Sequence, residues 1–166
     1  MKQKRIGRTK VINCQEAIMK YYNLATEDEN VGLLLIHNAK YRHGIYFLLQ
    51  SMEKYLRANI YMIIDPCNHR VVNQNRNHSI DEAVELLLDI LSGDNLVKHQ
   101  IKIQLEQVLG NTKYHHLHNN LRYPSFSPKE KKYFTLDVNE ADANNIIKRL
   151  ELLKEFLKDF HKIKIA

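Results

Sequence analysis

The stretch KYRHGIYFLLQSMEKYLRAN, Lys40 to Asn59, decides the fold. Within it and just beyond, Ile45, Leu48, Leu49, Met52, Leu56, Ile60 and Ile63 recur at i, i+3, i+4 and i+7. At about 100° per residue this spacing gathers them on one core-facing side of a long helix. Asp65 and Pro66 end it, since proline has no N–H to donate and pushes its predecessor out of the helical region.

Outward from that helix the apolar residues keep helical spacing, and with five glycines, three prolines and almost no strand signal the chain reads as all-α. A first helix is expected from about Asn13 to Ala25, with Ile18, Tyr21, Tyr22 and Ala25 on one side. Thr26 to Asn30 then reads as a polar break, and Val31 to Ile36 as a short apolar lead into the long helix. Cys67 to Asn77 is expected to be a polar loop. Ser79-Ile80-Asp81-Glu82 has the form of a capping box opening the next helix, which Gly93 closes. Leu96 to Leu109 is periodic through Val97, Ile101, Leu105 and Val108, and Gly110-Asn111 stops it. The segment KYHHLHNNLRYPSFSPKEKKYF, Lys113 to Phe134, carries two prolines and many polar residues. It is expected to be a loop over the end of the bundle and the functional loop of the protein. A last helix runs from about Asn139 to Lys162, its stripe formed by Ala143, Ile146, Ile147, Leu150, Leu153, Leu157 and Phe160.

The 166 residues suffice for one domain with its own core, taken as 13–166 behind a basic arm, 1–12. No run approaches the roughly 18 apolar residues of a membrane span, and MKQKRIGRTK lacks the apolar segment of a secretory signal, so a cytoplasmic protein is expected. Cys14 and Cys67 stand far apart without CxxC spacing and read as reduced packing residues. Net charge is +6 and the pI near 9.2, which favours anionic partners. Lys2, Lys4, Arg5, Arg8 and Lys10 make the arm either a phosphate-touching segment or a solvated tail.

Three strings give the chain a resemblance to the HEPN domain family. QSMEKYLRA, Gln50 to Ala58, is similar to that family's glutamine, Glu-Lys pair, basic residue and alanine. NHSIDEAVELL, Asn77 to Leu87, resembles its histidine at a helix start followed by a leucine-rich pattern. LRYP, Leu121 to Pro124, resembles its arginine-tyrosine-proline turn before the final helix. The resemblance implies an up-and-down bundle of about five helices, frequently a homodimer, with an anion-binding or catalytic cleft near the dimer seam. Many members are metal-independent ribonucleases with an arginine and a histidine separated by four to six residues. No arginine here is followed by a histidine at that distance; Arg70 and His78 have seven residues between them.

Two constellations could carry chemistry. Arg42, Tyr46, Gln50, Glu53 and Arg57, spaced by four, four, three and four, form a polar ribbon within about 100° of arc on the long helix. The arginines could grip a phosphate while Glu53 orients one of them, or the ribbon could be a dimer seam. Alternatively Glu53 and Arg57 are a solvated i, i+4 pair worth about 0.2–0.5 kcal/mol. His115, His116 and His118, followed by Arg122 and Tyr123, form the second group. Adjacent His115 and His116 are expected to point apart, which disfavours a metal, so none is assigned. Acid–base chemistry by His116 or His118 with Arg122 is the catalytic alternative; exposed loop histidines, with Arg122 and Tyr123 merely fastening the loop, are the plain one. His78, just before a helix N-terminus, either adds to a phosphate site or only caps and packs. Glycine-rich phosphate loops are absent, and no cofactor is expected. Three functions follow as expectations: a dimeric module binding nucleotide or nucleic-acid phosphate through Arg42, Arg57, His78, Arg122 and Tyr123; a toxin-like ribonuclease using the histidine cluster; or the structural partner of a small nucleotidyltransferase.

Overall fold

The computed structural model describes residues 10–68, 71–72, 79–91 and 95–160, the side chain of residue 160 excepted. It is an all-α bundle with one small hairpin. The helices are α1 (Cys14–His37), α2 (Tyr41–Ile63), α3 (Ile80–Ile90), α4 (Asn95–Leu109), α5 (Tyr114–Arg122) and α6 (Glu140–Phe160). Strands β1 (Ser125–Ser127) and β2 (Lys132–Phe134) pair antiparallel, with Phe126 opposite Tyr133. Among the described residues no helix is long and apolar enough to cross a membrane.

The long helix is the centre of the bundle. α1, α3, α5 and α6 all pack on α2, and 14 of its 23 residues are buried, with Tyr55 to Tyr61 buried without a break. One apolar side could not account for that. The helix is covered most of the way round, and the core gathers Ile45, Leu48, Leu49, Met52, Leu56 and Ile60 against Leu87, Leu105, Leu150 and Leu153.

α1 is longer than the sequence reading predicts. It opens on a complete capping box between Asn13 and Glu16, and Thr26 to Asn30, expected to be a break, stays helical. The reason lies on the neighbouring helices. Thr26 bonds back to the Tyr22 carbonyl at 3.1 Å and touches the Tyr55 hydroxyl; Asp28 pairs with Lys54; Glu29 accepts from the Tyr55 hydroxyl at 2.8 Å and from Lys154 of α6 at 2.8 and 2.9 Å. The polar run is a seam between three helices. Val31 to Ile36 is accordingly the last part of α1, which ends in a Schellman motif. Lys40 N–H donates to Leu35 O and Ala39 N–H to Ile36 O, with Ala39 at φ 55°.

The turn brings α1 and α2 together at two glycines. A Cβ on Gly44 would lie 2.9 Å from the Gly32 carbonyl oxygen and 3.1 Å from the Ile36 nitrogen, and one on Gly32 would lie 3.0 Å from the Gly44 carbonyl. The nearest atoms are side chains, Ile36 at Gly44 and Leu48 at Gly32, but behind them stand these backbone atoms, which cannot swing aside as a side chain can.

The segment 113–134 is not the expected loop. Tyr114 to Arg122 is helix α5, because its first amides find an acceptor that is remote in sequence. Asp81 of α3 accepts from the Tyr114 N–H at 3.4 Å and the His115 N–H at 2.8 Å. Tyr114 is buried and donates to Leu109 O at 2.6 Å. Arg149 of α6 reaches Leu109 O, Thr112 Oγ1 and the Tyr114 hydroxyl at 2.6, 2.6 and 3.0 Å, over Gly110 at φ 67°. Ser79 caps α3 through the Asp81 N–H at 3.1 Å, Asn139 caps α6 through Ala141 and Asp142, and Gly93 lies outside the described residues. Cys14 and Cys67, expected to be reduced, are joined in a disulfide with Cα atoms 6.3 Å apart. Folding α1 back along α2 brings two sequence-distant cysteines together, a proximity their spacing does not reveal.

Gly44→Ala should cost about 1–3 kcal/mol, the range for overpacking a tight contact, read as a lower urea midpoint at unchanged m-value. Wild-type stability in that variant would contradict the close helix approach.

Candidate functional site

The ribbon on α2 is held from inside the molecule. At its start the Arg42 guanidinium donates to Leu136 O at 2.6 Å, in the segment between the hairpin and α6. One turn on, the Tyr46 ring stacks on His118 of α5, centroids 5.0 Å apart and planes 27° apart. Gln50 Nε2 lies 2.7 Å from His118 Nε2. The two constellations read separately in the sequence therefore meet through His118. The cavity where they meet, lined by Gln50, Glu53, Ser79, Tyr114 and His118, is about 10 Å³, room for one water and nothing larger.

Further along, Glu53 and Arg57 form a buried ion pair, Nε to Oε1 2.8 Å, at 5% and 1% exposure. This is neither a solvated surface pair nor a guanidinium open to a phosphate. Burial works against the Arg57 charge, but the Glu53 carboxylate and the Tyr61 hydroxyl outweigh it and hold its pKa above the ordinary value. Tyr61 continues the network to Tyr21 of α1, their rings edge to face at 5.2 Å. Burial first, then Tyr61, pushes the Tyr21 hydroxyl up to about 12.

α5 distributes the three histidines differently. His118 is half-buried against α2. His115 is exposed, its Nδ1 3.1 Å from Asp81 Oδ2. His116 is exposed, and its ring lies 3.9 Å from that of His115; the two stand side by side, contrary to the expectation that they point apart, because His115 is drawn to Asp81. The histidines form no three-ligand metal group among the described residues. His78 lies outside the described residues, as do residues 1–9 of the basic arm.

A group of exposed cationic side chains lies at the far end of α5 and in the hairpin beyond it. Arg122 and Tyr123 are exposed, with Nη2 2.9 Å from the Tyr123 hydroxyl and the guanidinium 4.9 Å from the ring centroid. Pro124 carries the chain into the hairpin, where Phe126, Tyr133 and Phe134 are 52%, 73% and 45% exposed. Phe126 and Tyr133 touch across the strands at 5.1 Å. Lys129, Lys131 and Lys132 stand exposed in the turn and on β2, and among the described residues none of them is ion-paired with an acid. Sequence reasoning named Arg122, Tyr123 and the segment 113–134 as a functional loop, but not the hairpin, its rings or its lysines. Its signal was the three-residue runs SFS and KYF on either side of a proline-led turn.

No family model, no curated protein and no solved structure matches the chain.

Arg57→Met, which strands Glu53 in the core, should destabilise the fold by about 3–5 kcal/mol, measured by denaturant unfolding; a loss under 1 kcal/mol would show the pair to be solvated. Burial also raises the Tyr55 and Tyr114 hydroxyls, so the fold favours protonated tyrosines. The unfolded chain releases those protons first, from the ordinary value of 10.0. The tyrosines' contribution to stability should therefore be fully present below pH 10, fall as the pH rises beyond it, and go on falling to the Tyr21 value near 12. Tyr21→Phe should shallow that decline; an unchanged profile would remove Tyr21 from the network.

Proposed function

We propose that this chain is a HEPN-like module that binds nucleic-acid phosphate, and that its contact face is Arg122, Tyr123 and the β1–β2 hairpin. The observation that carries the reading is that one guanidinium, three lysines and four aromatic rings, all exposed, fall within residues 122–134, with Phe126 and Tyr133 on one side of the hairpin and Phe134 on the other. Lysine and arginine neutralise phosphates, and exposed rings offer stacking surfaces to unpaired bases, a pairing suited to single strands without sequence preference. Arg57 supports the site as structure, buried against Glu53, and Arg42 ties α2 to the segment after the hairpin through Leu136 O.

A second reading rests on the Asp81–His115 pair. A carboxylate against one imidazole nitrogen fixes the orientation of a ring that can then exchange a proton through the other, and His116 stands beside it. On that reading the bound strand would also be cut, with Arg122 two helical turns along α5 holding a phosphate.

For the first reading, a single-stranded RNA oligonucleotide should bind with salt-dependent affinity. Arg122→Ala with Lys131→Ala should lower that affinity roughly tenfold and flatten the salt slope by about two counterions. Binding equal to the wild type in the double variant would sink the proposal. For the second, RNA incubated with the protein and EDTA should be cleaved, and His115→Ala or His116→Ala should abolish the cleavage. Intact RNA, or cleavage that survives both substitutions, rejects it.

A further inference from the structure

The disulfide sits in a cluster that has more than two ligands. Sulfur atoms of Cys14 and Cys67 and a carboxylate oxygen of Asp65 lie within 4.8 Å of one another, with Cys14 half-buried and the other two exposed. The three come from both ends of the α1–α2 hairpin: Cys14 is the first residue of α1, and Asp65 and Cys67 follow the end of α2. Asp65 is already oriented there, its Oδ1 accepting the Cys67 N–H at 2.9 Å. A Cα–Cα separation of 6.3 Å lies toward the upper end of the usual disulfide range, roughly 4.4–6.8 Å. Side-chain rotation can then part the sulfurs to sit on a single ion without moving the backbone.

We propose that Cys14, Cys67 and Asp65 form a redox-gated zinc site, in which a zinc ion replaces the covalent link between the start of α1 and the turn after α2 when the disulfide is reduced. Two thiolates and a carboxylate are a donor set for a borderline-soft divalent ion, and the exposed side leaves a fourth tetrahedral position to water. The electron balance needs a dithiol reductant. The Cys14–Cys67 bond takes up two electrons and two protons and becomes two thiols, while the dithiol becomes its own disulfide. The ion then displaces both thiol protons. In an oxidising setting the cysteines hold the hairpin covalently; in a reducing one the metal holds it.

The test uses the full-length chain, oxidised and dithiol-reduced, titrated with cadmium as a spectroscopic stand-in for zinc and then with zinc in competition. The reduced protein should take one ion per chain, show thiolate-to-cadmium charge-transfer absorption and release two protons. The oxidised protein should show none of these. Cys14→Ser and Cys67→Ser should lose the charge-transfer band, and Asp65→Asn should keep the band while binding at least roughly tenfold more weakly. Circular dichroism of each variant in its metal-free form separates lost ligands from lost fold. The oxidised Asp65→Asn protein, still cross-linked, gives a folded reference. Absence of the band in the folded reduced wild type, one ion shared by two chains, or unchanged affinity in Asp65→Asn would each overturn the site.

Discussion

The structure depends on the burial of α2 along nearly its whole circumference. A helix covered by four others must satisfy most of the polar groups it carries without water: Glu53 with Arg57 does so by pairing across one turn at 2.8 Å, while the buried Ser51 hydroxyl is without a hydrogen-bond partner among the described residues. Either charge alone in that position would be costly, so the pair is conditional. α1, with Tyr21 against Tyr61, closes over one side of it, and Ser79, Tyr114 and His118 line the small cavity beside Glu53. The same demand explains the two glycines at the α1–α2 crossing, where backbone must approach backbone, and the acceptance of α5 amides by Asp81.

What could be read from the sequence is what depends on local period. α2, α4 and α6 follow from their apolar spacing, and the all-helical class follows from them. The misreadings share one physical origin, a partner that lies far away in the chain. Thr26 to Asn30 looks like a break until Lys54, Tyr55 and Lys154 supply its counterparts. Lys113 to Arg122 looks like a loop until Asp81 supplies acceptors for its first amides. The ribbon residues were placed on one face correctly, but their burial is decided by α1, α5 and Leu136, which no spacing on α2 encodes. Cys14 and Cys67 are separated by 53 residues and meet only when the hairpin closes.

These differences move the functional reading. The most suggestive residues by sequence, Arg57 and Glu53, are bound into the core, and His118 is held between Tyr46 and Gln50. Of the residues singled out in the sequence, Arg122, Tyr123, His115 and His116 stay exposed, and Arg122 and Tyr123 adjoin the exposed lysines and rings of the hairpin. The buried network organises the molecule, and the exposed face is where the proposed anion contact lies.

That division is tested most directly by following backbone amide resonances of the full chain while a single-stranded oligonucleotide is added. The account predicts saturable shifts at Arg122, Tyr123 and through both hairpin strands, with the amides of Glu53 and Arg57 unmoved. Shifts centred on Gln50, Glu53 and Arg57 with a silent hairpin would contradict it.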